Sequence, residues 1–248
     1  MPPLRIERDG AVLRVTLAKA ERRNAFDSEL IHALAEAFAD VGDARAIVIA
    51  GDGPSFCAGA DVEWQRASID LTYEENVADA LRLHAMLAAI DSSPAPVVAR
   101  VHGYALGGGS GVAAAADIAV AGEDAVFGFS EVRLGIIPAV ISPFVFAKIG
   151  PGAARRLFVT GERFGADVAL RIGLVSAVVR DLDAAVDSVL ADVLAGGPEA
   201  VRAAKRLARE LPSDGVALAR IAAERRTSAE GQEGLRAFLE KREPEWRP

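Results

Sequence analysis

Residues 97–111 read VVARVHGYALGGGSG, and this stretch decides the fold. It begins with Val97 to Val101, a short apolar run that is typical of a strand buried in a sheet. A turn with three consecutive glycines follows, and small residues then continue to Ala116, which predicts a helix. A buried strand, a glycine-rich turn and a helix in this order indicate an α/β protein.

A second segment has the same layout. Ala46 to Ala50 predicts another buried strand, and residues 56–62, which read FCAGADV, supply a turn of small residues before the next helix. Small side chains let a ligand approach the backbone, and free N–H groups at the start of a helix bind developing negative charge. Two such N–H groups, one from each turn, would form an oxyanion hole if they met at one carbonyl. The alternative is that these glycines serve only tight packing of helix on sheet.

The rest of the chain extends the alternation of strands and helices. Leu4 to Leu17 reads as a β-hairpin around the turn Asp9-Gly10. Asp27 is a suitable N-cap for a helix, and Thr72 with Glu75 has the spacing of a capping box at the start of another. The last third of the chain is predicted to be mostly helical.

Length and composition exclude several classes of protein. The 248 residues are enough to bury a sizeable core, and the net charge of −7 argues against binding to nucleic acid or to an anionic membrane surface. We expect no membrane span, because no stretch of eighteen uncharged apolar residues occurs, and the lack of a signal-peptide pattern predicts a cytoplasmic protein. Cys57 is the single cysteine and the three histidines are scattered, so we expect no metal site and no permanently bound cofactor.

A dinucleotide-binding loop is a rival interpretation of the glycine turn. Gly109, Gly111 and Ala114 fit the looser form of the G-x-G-x-x-A fingerprint after a predicted strand. However, the loop lies beyond residue 100, and no acidic residue clearly stands at the end of the next strand. An oxidoreductase is therefore a weak alternative.

Taken together in their order, the motifs closely resemble those of the enoyl-CoA hydratase/isomerase (crotonase) family. The matching segments are Arg23-Asn24-Ala25-Phe26, Phe56-Cys57-Ala58-Gly59-Ala60-Asp61, residues 102–109 (HGYALGGG), residues 117–121 (DIAVA), residues 127–135 (FGFSEVRLG), and Ala166 through Ala169 to Gly173-Leu174-Val175. The resemblance implies a spiral of ββα units over residues 1–190, which carries the acyl-CoA site. It also implies a helical region over residues 191–248 and assembly into a homotrimer or homohexamer.

The resemblance also implies roles for individual residues. The N–H groups of Ala60 and Gly108 would polarise the thioester carbonyl of an acyl-CoA substrate. Loss of one such donor typically costs about 3 kcal/mol of barrier. The adenine pocket of coenzyme A would be lined by Ala58, Ala60, Asp61 and Val62. Its phosphates would meet Arg22 or Arg23, and also Lys241, which in the family often comes from a neighbouring subunit.

One catalytic carboxylate of the best-known hydratases is absent from this sequence. Those enzymes carry two glutamates, and the corresponding positions here are Gly111 and Glu131. A glutamate beside a thioester in an apolar pocket can have its pKa raised toward the working pH, so we expect Glu131 to transfer the proton. The alternative is that Glu131 only opens a short surface helix with Ser130.

The resemblance leaves the choice of reaction open. Residues 130–144 read SEVRLGIIPAVISPF and resemble the bacterial methylglutaconyl-CoA hydratase branch, in which a glycine in place of the first glutamate also occurs. This favours a lyase that hydrates an α,β-unsaturated enoyl-CoA. A Δ3,Δ2-enoyl-CoA isomerase is the second interpretation, since one base suffices to move a proton along the acyl chain. A non-catalytic acyl-CoA-binding subunit is the third.

Overall fold

Strands and helices alternate through most of the chain, as the sequence predicts, and helices alone make up its C-terminal part. The structure is a computed structural model that describes residues 2–247. Its strands are β1 (Leu4–Asp9), β2 (Val12–Leu17), β3 (Ala46–Gly51), β4 (Val97–Val101), β5 (Tyr104–Leu106), β6 (Ile118–Gly122), β7 (Val126–Gly128), β8 (Arg163–Gly165) and β9 (Ala177–Val179). Its helices are α1 (Ser28–Ala39), α2 (Val62–Ser68), α3 (Tyr73–Ser92), α4 (Gly108–Ala115), α5 (Ser142–Thr160), α6 (Ala166–Arg171), α7 (Leu182–Ala195), α8 (Pro198–Arg209), α9 (Gly215–Thr227) and α10 (Ala229–Glu240). Short 3-10 helices span Ala20–Arg22 and Glu131–Leu134.

Within residues 2–247 the strands form two sheets. The larger has the order β1-β2-β3-β4-β6-β9, in which the β1–β2 hairpin is antiparallel and every other pairing is parallel. The smaller sheet has the order β5-β7-β8, with β5 parallel to β7 and β8 antiparallel to it. Parallel neighbours need crossover connections, and the helices that supply them cover the sheet. The α/β class is thereby confirmed.

Both faces of the larger sheet are buried. Ile47 and Ile49 of β3 point into the main core, where α1, α3, α4 and α5 pack. Val48 lies between them in sequence and points to the opposite face, where it meets Leu182 and Val186 of α7. Successive side chains of a strand point to opposite faces, so continuous apolar strands are what a sheet covered on both sides requires.

The predicted helix starts are confirmed, with one difference in the buried face. Asp27 caps α1 through a hydrogen bond from the Leu30 N–H, and Thr72 with Glu75 forms the complete capping box of α3. Val77 and Leu81 are apolar residues of α3, but both are exposed. The buried face of α3 consists of Asp79, Met86, Leu87 and Ile90, because α3 packs against α1 and α4.

The C-terminal helices are joined to the core by a buried ion pair. Nζ of Lys205 on α8 lies 2.7 Å from Oδ2 of Asp117, and it also donates to the Ala95 carbonyl. The expected division after residue 190 falls inside α7. We therefore keep two regions only as a proposal. Among residues 2–247, no helix is both long and apolar enough to cross a membrane.

Candidate active site

The two glycine turns lie side by side, which the sequence alone did not establish. The N–H of Cys57 donates to the Tyr104 carbonyl at 2.9 Å, and the N–H of Leu106 donates to the Cys57 carbonyl at 2.9 Å. These bonds join the turn after β3 to β5, immediately before the three glycines. Residues that are about fifty positions apart in sequence therefore meet at one place.

The expected oxyanion donors keep their N–H groups free. Phe26 bonds to the residues on either side of Ala60, since its N–H donates to the Gly59 carbonyl at 2.7 Å and its carbonyl accepts from the Asp61 N–H at 2.8 Å. The N–H of Ala60 itself donates to no acceptor within residues 2–247. Gly108 is the first residue of α4, where the helix offers no partner to its N–H, and it too has none within that range.

Glycine is required at the turn that presents Gly108. Gly107 has φ +50° and ψ −117°, a conformation that residues with a side chain rarely adopt. Its N–H donates to the Gly128 carbonyl at 2.8 Å, which fixes the turn against β7. At Gly108 itself, a Cβ atom would lie 2.7 Å from Cδ2 of Phe26. The glycines thus serve packing as well as conformation, and a role of the Gly108 N–H in an oxyanion hole stays a prediction.

Glu131 stands beside this turn. It is the first residue of the 3-10 helix Glu131–Leu134, as one reading of the sequence expected, but its side chain is directed inward and not toward solvent. Oε1 would lie 3.2 Å from a Cβ atom placed at Gly107. Oε2 is buried and has no hydrogen-bond partner within residues 2–247. Burial raises the pKa of the Glu131 carboxyl, and its own backbone N–H only partly opposes this.

A cavity of about 380 Å³ connects these groups. Apolar residues form most of its wall, which is typical of a site for a small-molecule ligand. Gln65 and Ser68 of α2 and Asn76 and Asp79 of α3 add polar side chains to this wall. The lining comprises Phe26, Ala58, Gly59, Ala60, Trp64, Gln65, Ser68, Asn76, Asp79, Ala80, Leu83, Leu106, Gly107, Gly108, Ser130, Glu131, Leu134, residues 136–141 and Arg163.

The place of the missing glutamate is filled by apolar side chains. A Cβ atom at Gly111 would lie 2.8 Å from Cγ2 of Ile141 and 3.6 Å from Cδ1 of Leu87. Gly109, the other glycine of the dinucleotide pattern, is also inside α4, and a Cβ there would lie 2.5 Å from the Cys57 carbonyl oxygen. Both positions are buried in a helix, so they form no loop around a dinucleotide.

Ser110, which precedes Gly111, makes its hydrogen bonds inside the protein. It is fully buried, and its Oγ donates to the Ala105 carbonyl at 2.5 Å and accepts from the Gly128 N–H at 3.3 Å. Ser110 therefore ties α4 to β5 and β7. Cys57 is also fully buried, and burial raises the pKa of its thiol to about 12, so it is a packing residue as predicted.

Of the residues expected to bind coenzyme A, two line the cavity and the others do not. Ala58 and Ala60 line the cavity. Asp61 caps α2 and pairs with Nη1 of Arg22 at 3.1 Å. Burial by itself would raise the pKa of the Asp61 carboxyl. Hydrogen bonds from the Trp64 N–H and from Arg22 outweigh burial, so the pKa is lowered. Arg22 is exposed, and its contact with a phosphate stays a prediction.

The other predicted binding residues lie outside the cavity of their own chain. Val62 is 66% exposed, and Arg23 is exposed at φ +53°. Lys241 ends α10 and is likewise exposed. Their contact with coenzyme A stays a prediction.

Three basic residues that could have paired with a carboxylate on the acyl group do not line the cavity. Arg100 is paired with Asp183 at 2.6 Å, and Lys148 donates to two backbone carbonyls at the end of α4. Arg133 is exposed and does not line the cavity. The arginine at the cavity is Arg163, which sequence reasoning missed.

Sequence reasoning also missed the wall formed by α2 and α3, including Trp64 and Asp79. For Asp79 a signal existed. Asp79, Leu83 and Leu87 are spaced by four residues, so they share one face of a helix, and a carboxylate at the end of an apolar row is unusual.

Comparison with known proteins identifies the family of the chain. The family model for enoyl-CoA hydratase/isomerase matches residues 7–248. A cyclohexa-1,5-dienecarbonyl-CoA hydratase from Thauera aromatica is 33% identical over 98% of this chain and 96% of its own. Among solved structures, an enoyl-CoA hydratase from Shewanella pealeana has a TM-score of 0.91 at 37% identity, covering 98% of this chain and 96% of that one. Pseudomonas aeruginosa AtuE has a TM-score of 0.94 at 37% identity, covering 99% and 100%.

A Legionella pneumophila structure whose description includes the word crotonase has a TM-score of 0.93 at 39% identity and covers 100% of both chains. The fold is therefore the crotonase fold. The names of the relatives support hydration of an enoyl-CoA at the level of the family. The chain belongs to the enoyl-CoA hydratase/isomerase family and is an enzyme of that family.

Proposed function

We propose that this enzyme hydrates an α,β-unsaturated enoyl-CoA, using the N–H groups of Ala60 and Gly108 and the carboxylate of Glu131. The observation that carries the proposal is the environment of the Glu131 carboxylate. Its Oε2 is buried without a hydrogen-bond partner within residues 2–247, at the edge of a cavity that also holds both free N–H groups. A buried polar group without a partner costs free energy, which an active site accepts when a substrate or water supplies the partner.

The two N–H groups would act on the thioester oxygen. When water adds to the double bond, negative charge moves from Cβ through Cα onto this oxygen, which gives an enolate. Donors that already point at the oxygen stabilise that charge without reorganising, and each is typically worth about 3 kcal/mol. Gly107 holds Gly108 in place, and Phe26 holds the residues on both sides of Ala60.

Glu131 would move the proton. Its carboxylate takes a proton from water, the water oxygen bonds to Cβ, and the electrons of the double bond pass to the enolate. The protonated Glu131 then returns the proton to Cα as the carbonyl re-forms. The substrate thus gains one water and Glu131 ends as it began. A raised pKa suits both steps, because a base works best when its pKa lies near the working pH.

A Δ3,Δ2-enoyl-CoA isomerase is the second candidate, and a specific observation favours it. Ile141 and Leu87 fill the space beside Gly111, so no second carboxylate can hold a water from that position. In an isomerase acting on a 3-enoyl-CoA, Glu131 would take a proton from C2 and return it to C4 without any attacking water. The same oxyanion donors would stabilise the dienolate between the two steps.

The proposal includes the mode of substrate binding and of assembly. Coenzyme A enters as part of the thioester, and we propose no resident cofactor. Arg22, Arg23, Asp61, Val62 and Lys241 would contact its nucleotide, with Lys241 supplied by a neighbouring subunit of a homotrimer or homohexamer. Exposed Phe238 and Leu239, each 76% accessible on α10, support a further interface. Light scattering after size exclusion tests the assembly, since a monomer would contradict it.

The test of the reaction uses crotonyl-CoA and 3-methylglutaconyl-CoA. Loss of the enoyl-thioester absorbance with a mass gain of one water would confirm hydration, and the faster substrate would separate simple from dicarboxylic acyl groups. If neither is hydrated, a 3-enoyl-CoA is added. Conversion without change of mass would then replace the hydratase by the isomerase. Tight binding without turnover of any of them would indicate a binding subunit and contradict both reactions.

A further inference from the structure

Asp79 is a second carboxylate in the wall of the cavity. It lies on α3, and only 9% of the residue is accessible. Oδ1 accepts a hydrogen bond from Nη2 of Arg82 at 2.6 Å, one turn further along the same helix. Arg82 is more than half exposed, so the ion pair extends from the cavity wall to the surface.

The other oxygen of Asp79 is left for a ligand. Within residues 2–247, Arg82 is the one group that hydrogen-bonds this carboxylate, and it uses Oδ1 alone. Two polar neighbours in the wall direct their donors to other acceptors. Oγ of Ser68 donates to the Gln65 carbonyl at 2.7 Å, and Nδ2 of Asn76 donates to backbone carbonyls that precede α3. Oδ2 therefore has no hydrogen-bond partner within residues 2–247, on a residue that lines a largely apolar cavity.

Asp79 lies at a distance from the reacting carbons. Leu87 packs beside Gly111, the position one turn into α4 from the oxyanion donor Gly108. Asp79 precedes Leu87 by eight residues, which places it roughly 12 Å away along the axis of α3. Leu83 lies between them on the same face and also lines the cavity. This separation fits a contact with the far part of the acyl group and not with the carbons next to the thioester.

We propose that Asp79 is a specificity-determining residue, which selects acyl groups that carry a hydroxyl beyond the reacting carbons. This proposal rests on the acyl-CoA site proposed above and narrows its substrate class. A hydroxyl donates to Oδ2 and satisfies it. Arg82 already balances the charge of Asp79, so a neutral donor is the better match. A carboxylate would bring a second negative charge against Oδ2, and a methyl end would bury Oδ2 without any partner.

The test compares acyl-CoA esters that differ only at the end of the chain. Hexanoyl, octanoyl and decanoyl-CoA are each prepared with a methyl, a hydroxymethyl or a carboxylate end, and their Kd values are measured by calorimetry. At the chain length that reaches Asp79, we expect the hydroxyl-ended ester to bind at least about tenfold more tightly than the carboxylate-ended one. The corresponding 2-enoyl-CoA esters should follow the same order in kcat/KM.

Variants assign the preference to Asp79. Asp79→Leu should remove the preference for the hydroxyl and favour the methyl end. Arg82→Gln leaves the Asp79 charge unbalanced and should weaken binding of the carboxylate-ended ester further. Glu74→Gln removes one charge from an exposed site of α3 and should leave the ranking unchanged.

Several results would overturn the proposal. These are equal affinity for all three ends at every length, tighter binding of the carboxylate-ended ester, or an unchanged ranking in Asp79→Leu. If Asp79→Leu does not fold, the wild-type ranking together with Arg82→Gln decides. Failure of the proposed reaction is distinguishable, because it would abolish turnover of the enoyl-CoA esters while leaving the ranking of Kd values for the saturated esters intact.

Discussion

Ile141 occupies the space into which any side chain at Gly111 would extend, with its Cγ2 2.8 Å from the position of a Cβ atom there. At the position that corresponds to the first glutamate of the best-known hydratases, this chain therefore has an apolar contact between α4 and the segment before α5. Glu131 is left as the carboxylate beside the two free N–H groups.

Gly111→Ala should destabilise the protein by about 1 to 3 kcal/mol, because the added methyl overlaps Ile141 in a packed interior. Denaturant unfolding gives the free energy. Gly152→Ala is the matched control, since Gly152 is also helical and a Cβ there meets nothing within 4 Å. That variant should be neutral or more stable, by up to about 1 kcal/mol. Equal losses in both variants would contradict the packing argument.

Glu131→Gln should lower kcat/KM by about 10² to 10⁴, the range that a positioned general base supplies. The amide keeps the shape of the side chain, so Kd for a saturated acyl-CoA should stay within about threefold of wild type. Glu36→Gln, an exposed change on α1, should leave both constants unchanged. Wild-type turnover in Glu131→Gln would remove this residue from the mechanism.

The acid side of the pH profile should report Glu131. Catalysis needs the carboxylate, and burial raises the pKa of this group. The rate should therefore fall as the pH falls through a midpoint above that of an ordinary glutamate. A plot of log kcat/KM against pH measures this midpoint in the free enzyme. A midpoint at or below the ordinary value would contradict it.

Glu131 should also make stability depend on pH in a defined direction. Its pKa is higher in the folded chain than in the unfolded one, so its protonated form favours folding. The contribution is fully present below the unfolded pKa and is lost as the pH rises through the folded pKa. Glu131→Gln should thus have a higher Tm than wild type at neutral pH, and the difference should close below about pH 4. A lower Tm for the variant at neutral pH would contradict this sign.

Gly107→Ala should affect activity more than its backbone strain alone would. Alanine at φ +50° and ψ −117° costs about 1 to 3 kcal/mol of stability. A shift of this turn moves the N–H of Gly108, and the added Cβ would lie 3.2 Å from Oε1 of Glu131, so both catalytic groups are disturbed. We expect kcat/KM to fall by about 10² to 10³, as for loss of an oxyanion donor. Gly42→Ala places a side chain at another positive φ, +57°, with nothing within 4 Å of its Cβ. It should lose stability but keep its kcat/KM, and parallel losses in both would show a general effect of folding.

The sequence by itself determined the local structure and the family. Signals such as the Asp9-Gly10 turn, the cap at Asp27 and the capping box of Thr72 act between residues a few positions apart, so they can be read directly. The order of the motifs predicted the crotonase family, and the alignment of Glu131 with a family glutamate made it a candidate. These inferences needed no knowledge of distant contacts.

Only the tertiary structure decided how these pieces meet. The hydrogen bonds of Cys57 to Tyr104 and Leu106 bring the two turns together, and no local pattern encodes that pairing. The contact of Ile141 with Gly111 is likewise a tertiary contact. The position of Asp79 in the cavity wall also depends on how α3 packs against the rest of the fold. Local structure follows from short-range sterics and hydrogen bonds, whereas the environment of a side chain depends on packing between segments far apart in sequence.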